Sequence, residues 1–252
     1  LLDLKSRTKF KKFQERLIFQ FPFFSLFPLG IAPHCATLPM HYYLYLHGFA
    51  SSPRSHKAQD IAMRFAQHGL PLVIPDLNQG DFSHLTLSRQ IQQIEALLPP
   101  EPTPVTLIGS SFGGLTAAWL AEKHPQIQRI VLLAPAFGFL SHWVSRLGSA
   151  QMQQWQTQGY LPVYHYGEAQ MMPLHYGFVK DAEQYRDDDL QRPVPTLILH
   201  GTQDEVIPLQ ASVAFARDRP WVQVIALNSD HSLGDGGDEI WQAIQQFIAI
   251  LN

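Results

Sequence analysis

The chain has 252 residues, of which 46% are hydrophobic and only 15% charged, with a formal net charge of -3. That balance is enough for the core of one α/β-sized domain and excludes a wholly disordered chain. It also excludes the basic field that draws nucleic acid, so the expected partner is a small, fairly neutral molecule and no nucleic acid.

Residues 1–39 read apart from the rest. They begin with Leu1, carry Lys5, Arg7, Lys9, Lys11 and Lys12, and run into an apolar stretch from Leu17 to Leu29. Glu15, Pro22 and Pro28 interrupt what would otherwise resemble a secretory signal, and the stretch is short for a membrane span, so no stable span is expected. The favoured reading of this N-terminal extension is upstream sequence ahead of a misplaced start, because Met40, the first methionine, directly precedes the first convincing strand. A cytoplasmic location is expected, with export or membrane association if residues 1–39 are a genuine signal. The single cysteine, Cys35, cannot form an internal disulfide, which is compatible with a reducing compartment. The 12 histidines show no metal-ligand spacing, so neither a metal nor a cofactor is expected.

From Met40 short β-rich runs alternate with longer helical patterns, which predicts parallel strands joined by helical crossovers. Strands are expected at 41–46, 71–75, 104–109, 128–133, 194–200 and 222–227, and helices at about 54–69, 84–98, 112–123, 206–217 and 237–250. The interval from about 136 to 194 is far longer than an ordinary crossover and rich in aromatics, including Trp143, Trp155, Tyr160 and Phe178. It predicts an inserted cap, with a helix near 141–157 followed by a hairpin from Leu161-Pro162-Val163-Tyr164 to Met171-Met172-Pro173-Leu174. Such an aromatic, Met-rich cover would suit an apolar pocket wall.

The strand ending in Ile108-Gly109-Ser110 leads through Ser111-Phe112-Gly113-Gly114 straight into a helix. Only Ser111 has glycine at both minus two and plus two, the G-x-S-x-G register that exposes a serine hydroxyl on a tight strand-to-helix turn. A hydroxyl at neutral pH is a poor nucleophile, so such a serine needs a histidine base and a carboxylate to orient it. Asp204 follows the strand that ends at His200, with Glu205 as its rival. His231 follows the last strand and is the only histidine after His200. His200 is the weaker base and is expected to support the acid loop, while Asp230 is expected to shape its own loop. The amide after the nucleophile, Phe112, and one from the loop after the first strand would form an oxyanion hole. For that second amide Phe49 is preferred to Ala50, and His47 is read as a loop organiser.

With Leu44-Tyr45-Leu46-His47-Gly48-Phe49, the run Ser51-Ser52-Pro53-Arg54-Ser55-His56-Lys57-Ala58 and Gly109-Ser110-Ser111-Phe112-Gly113-Gly114 in place, residues 40–252 resemble an α/β-hydrolase. Specifically they resemble the small bacterial esterases of the YqiA/YcfP type. The resemblance implies an α/β-hydrolase fold with a mostly parallel sheet of about six strands, flanking helices and an inserted cap. It implies Ser111, Asp204 and His231 as nucleophile, acid and base, and hydrolysis of small acyl esters or thioesters as the activity. A peptidase or an acyltransferase on the same triad, or a ligand-binding member without turnover, are the alternatives. The extension and the size of the cap depart from the most compact members. A protein beginning at Met40 is expected to be soluble and to turn over nitrophenyl esters as the full chain does; loss of either property on truncation would make residues 1–39 a working part of the molecule.

Overall fold

A computed structural model describes residues 41–249. In chain order the elements are β1 (Tyr42–Leu46), α1 (His56–Gln67), β2 (Leu72–Val73), α2 (Leu87–Glu95), β3 (Val105–Ser110), α3 (Phe112–Lys123), β4 (Ile127–Leu133), α4 (Phe139–Gln158), β5 (Tyr160–His165), β6 (Gln170–His175), α5 (Gly177–Ala182), β7 (Thr196–Gly201), α6 (Leu209–Ala216), β8 (Val222–Leu227) and α7 (Gly237–Ile248). The expectations for residues 1–39, including Cys35, lie outside the described residues.

Six strands form one sheet in the order β2-β1-β3-β4-β7-β8, every pairing parallel. Parallel strands need covered faces, and alternate residues of each strand feed two separate cores. Leu44, Leu46, Val105, Leu107 and Ile198 pack with Leu87 and Ile91 of α2, Leu115 of α3 and Phe215 of α6. Tyr43, Tyr45, Ile108, Leu197 and Leu199 pack on the other side with Ile61 and Phe65 of α1 and Trp241 and Ile244 of α7. The fold is that of an α/β-hydrolase. α3 is buried from Phe112 to Ala121, which is why its sequence is apolar all round rather than on one stripe.

The strand order reverses at β1: the chain goes outward to β2, then crosses back to β3 and continues to the other edge. At such a reversal the crossover helices leave in opposite directions and open a crevice at the strand carboxyl ends, where open α/β sheets bind ligands. The carboxyl ends of β1 and β3 carry Gly48 and Ser111.

Two elements differ from expectation in an instructive way. β2 has two residues instead of five, because Pro71 and Pro75 on either side cannot donate to the ladder. The helix expected near 141–157 is broken at Gly148, which takes φ 76° and ψ 162°, a conformation open to glycine but costly for residues with a Cβ. Between β4 and β7 the chain also forms the antiparallel β5–β6 ladder, with Pro162 opposite Pro173 and Tyr164 opposite Met171. The short helix α5, whose Phe178 and Val179 are buried, was not anticipated, since six residues are too few to show a helical period.

α4 is fastened to the hairpin by Trp155, which is buried and donates from Nε1 to the Leu174 carbonyl at 2.8 Å. Trp155→Phe removes the donor while the carbonyl keeps its place in the β5–β6 ladder, so a loss of about 0.5–1.5 kcal/mol is expected. Urea denaturation would measure it, with faster hydrogen exchange confined to residues 139–175.

Candidate active site

Ser111 stands between β3 and α3 at φ 51° and ψ -115°. Few side-chain-bearing residues adopt that backbone, and the turn is held by hydrogen bonds on both sides of it. The Ser111 amide donates to the Leu133 carbonyl at 2.8 Å, and its carbonyl accepts from Gly114 at 2.9 Å, Leu115 at 3.1 Å and Ala136 at 3.1 Å. The glycines of the motif allow the close approach this requires. A Cβ on Gly109 would overlap the Gly113 carbonyl, and one on Gly113 would overlap the carbonyls of Leu46 and His47 at the tip of β1.

The acid loop and the base loop are joined before their side chains meet. Thr202 donates its amide to the Leu227 carbonyl at 2.8 Å and Gln203 to the Ser229 carbonyl at 3.0 Å. Gly201 lies so close that a Cβ would overlap the Ser229 carbonyl. This contact brings His231 between Asp204 and Ser111. His231 Nδ1 lies 2.7 Å from Asp204 Oδ2 and its Nε2 lies 3.1 Å from Ser111 Oγ. An ionised carboxylate only accepts, so Nδ1 carries the proton and Nε2 is left free to take the one on Ser111.

The Asp204 side chain is fully enclosed. Burial alone would raise its carboxyl, but hydrogen bonds from His200, His231 and the Ile207 amide outweigh it and hold the group well below the usual carboxylate range. Oδ1 accepts from the amides of Val206 at 2.8 Å and Ile207 at 2.9 Å, and Oδ2 also accepts from His200 Nε2 at 3.1 Å. His200 is itself buried, with Ser212 Oγ 2.8 Å from Nδ1 and the Ile207 carbonyl 2.9 Å from Nε2. It supports the acid loop and does not reach Ser111. Ser212 was not singled out by sequence; its only signal is a lone hydroxyl inside the apolar stretch of α6.

The rivals fall elsewhere. Glu205 is exposed, and it is its backbone carbonyl, not its carboxylate, that accepts from Arg146. Asp230 folds onto its own loop, accepting from the Ser232 amide at 2.8 Å and hydroxyl at 2.6 Å. His47 is buried and accepts from the Leu77 amide at Nε2, 2.9 Å away, so its proton sits on Nδ1 and is donated to the Gly48 carbonyl at 3.0 Å. Burial lowers its pKa against the pull of Gly48 and Asp76, which keeps the ring neutral and the loop folded.

That loop abuts the nucleophile: a Cβ on Gly48 would stand 3.3 Å from Ser111 Cβ. Phe49 follows, half-buried among the rings of Phe82, Phe112, Trp143 and Phe178. The Phe112 amide heads α3 and has no carbonyl of its own helix to bond. Ala50, at φ 51°, offers its carbonyl to the Tyr166 amide at 2.8 Å, so the turn of the β5–β6 hairpin holds this loop from above. Among the described residues no group of three or more histidine, cysteine or acidic side chains could hold a metal ion, and no helix is long and apolar enough to cross a membrane.

The model of an uncharacterised protein family, UPF0227, matches residues 42–248. A curated relative, the mitochondrial palmitoyl-protein thioesterase ABHD10 of Bos taurus, is 29% identical over 143 residues, which cover 54% of this chain and 46% of that protein, so the match spans less than half of the relative's length. Among solved structures, Est1E from Butyrivibrio proteoclasticus with ferulic acid bound superposes with a TM-score of 0.70 at 20% identity, over 83% of this chain and 88% of Est1E. The α/β hydrolase domain-containing protein 10 from mouse gives 0.66 at 22% identity, over 83% and 90%. At these identities the solved structures speak for the fold.

The depressed Asp204 carboxyl makes stability depend on pH with a defined sign. A group whose folded pKa lies below its unfolded value of about 4 adds stability that is fully present above about pH 4 and is lost as pH falls toward the folded value. Urea midpoints measured from neutrality down to about pH 3 should fall less steeply in Asp204→Asn than in the parent; parallel curves would contradict the arrangement.

Proposed function

The chain belongs to the UPF0227 family, and from that premise we propose that it is a serine hydrolase that cleaves carboxylic ester or thioester acyl groups through an acyl-enzyme. The observation that carries this reading is the continuous hydrogen-bond path from Ser111 Oγ through His231 to Asp204, at 3.1 and 2.7 Å. In this mechanism Ser111 Oγ attacks the acyl carbonyl while His231 Nε2 takes its proton. Asp204, ionised at neutral pH, holds Nδ1–H and stabilises the imidazolium. The negative charge that develops on the carbonyl oxygen is met by the amides of Phe112 and Phe49, whose loop Gly48 sets against Ser111. Collapse of the tetrahedral intermediate passes the proton from His231 to the leaving alcohol or thiol. Water, deprotonated by His231, then attacks the acyl carbon and releases the acid and free Ser111.

Residues 40–252 form the hydrolase domain in this reading and the interval of about 136–194 its cap, with Trp143 and Phe178 beside Phe49 forming an apolar wall for the acyl group. The thioesterase named among the relatives and the ferulic acid bound to Est1E support acyl compounds as the substrate class.

Labelling by a fluorophosphonate tests the nucleophile. The parent protein should react at one site and Ser111→Ala not at all; labelling of that variant at the parent rate would remove Ser111 from its role. With nitrophenyl esters, Asp204→Asn should lower kcat about ten-thousandfold where the geometry holds. A panel of acyl lengths reports pocket size, and the absence of both burst and turnover would favour a binding protein over an enzyme.

A further inference from the structure

Lys57 stands in the first turn of α1, directly after the capping Ser55 and His56. A cation there opposes the helix dipole, whose positive end lies at the N-terminus. Its side chain is moreover half-buried, a second cost, since a charge drawn partly out of water needs compensating partners. Helix stability therefore does not account for lysine at this position. Its one hydrogen bond among the described residues runs across 53 positions to Ser110 Oγ, at 3.2 Å.

Ser110 occupies the motif position directly before Ser111, and its side chain is buried behind the turn. On that hidden side it meets two groups that the proposed mechanism does not use. Lys57 donates to it from α1, and the Tyr45 phenol of β1, which burial pushes above its ordinary range, is drawn back by the Ser110 hydroxyl. The charged groups whose field acts on the Lys57 ammonium are Asp230, on the loop after β8 next to His231, and Asp204, on the loop after β7 and hydrogen-bonded to His231. A cation is thus bonded to Ser110, the residue next to Ser111 in the turn.

We propose that Lys57 is a positioning residue for the hydrolytic reaction, acting through Ser110 to fix the turn that carries Ser111 and placing a positive charge behind the Asp204–His231 pair. This rests on the serine-hydrolase reading. The protonated form is the competent one: the ammonium offers a charge-assisted bond to Ser110 Oγ and balances two nearby carboxylates, whereas the neutral amine does neither as well.

The consequence is a pH signature that a merely space-filling lysine would not produce. Burial pushes Lys57 down to about 8, against the opposing pull of Asp230 and Asp204. The charge is present below that value and lost above it, so kcat of the full chain on nitrophenyl butyrate should fall as pH rises through about 8. Lys57→Met should lower kcat about tenfold, the rate equivalent of one charge-assisted hydrogen bond, with KM little changed. It should also lack the alkaline fall. Lys57→Arg keeps a charge at every pH tested, so it should recover most of kcat and likewise lack the fall. Ser110→Ala should lose kcat to a similar degree, and adding it to Lys57→Met should cost little more, because both remove one interaction.

Fluorophosphonate labelling of the same proteins separates the two levels of the argument. A parent protein that neither labels nor turns over ester overturns the serine-hydrolase reading and this inference with it. A parent that labels at Ser111, together with a Lys57→Met protein that keeps the parent kcat or the parent's alkaline fall, overturns the inference alone. So does Lys57→Arg if it loses as much as Lys57→Met.

Discussion

The backbone of Ser111 is the constraint around which the site is arranged. A side-chain-bearing residue at φ 51° and ψ -115° carries strain on the order of 1–3 kcal/mol, tolerable only where the surroundings leave no cheaper conformation. Here β4 holds the Ser111 amide, three amides hold its carbonyl, and the tip of β1 presses against Gly113. Relaxing the serine would break those bonds and separate the N-terminus of α3 from the sheet. The strain is therefore maintained by the packing of the central helix, which is buried along most of its length. The same close approach puts Gly48 against the serine and leaves the first amide of α3 without a helical acceptor.

A second constraint is electrostatic. Asp204 is enclosed, and an enclosed carboxylate is costly unless its lone pairs are filled. Two backbone amides and two imidazoles fill them. That set keeps the carboxylate ionised and fixes the tautomer of His231, so its Nε2 faces Ser111 as an acceptor. Backbone bonds between the loops after β7 and β8 make the arrangement insensitive to side-chain freedom, because the loops are in register before the side chains meet. His200 and Ser212 extend the network into α6, which helps to fix the position of Asp204.

The long interval after β4 is coupled to the same centre from above. The hairpin turn bonds the Ala50 carbonyl, and Trp143 and Phe178 pack on Phe49, so the segment that walls the crevice also touches the loop proposed to bind the oxyanion. Lys57 reaches the elbow from beneath. Both contacts are long-range in sequence, 116 positions between Ala50 and Tyr166 by subtraction and 53 between Lys57 and Ser110, and neither leaves a periodic trace.

The features legible in the sequence are those governed by local chemistry. Alternation of β-branched runs with amphipathic helices follows from burial of each strand face, so all six strands and their crossovers were readable within a few residues. The register of Ser111 was readable because only glycine tolerates the carbonyl contacts at 109 and 113. Asp204 and His231 could be named because each follows a strand, and the carboxyl ends of parallel strands share one edge. Pro71 and Pro75 are a local signal in the sequence for a shortened β2. What only the tertiary structure decided are the close distances between distant segments: which oxygen of Asp204 meets which imidazole, that Gly148 breaks α4, that a hairpin turn holds Ala50, and that a lysine in the first turn of α1 turns inward to Ser110. Local preference places a residue on an element, but the angle between elements is set by how two cores close on a twisted sheet, and a change of a few ångströms there decides whether a side chain meets solvent or another loop.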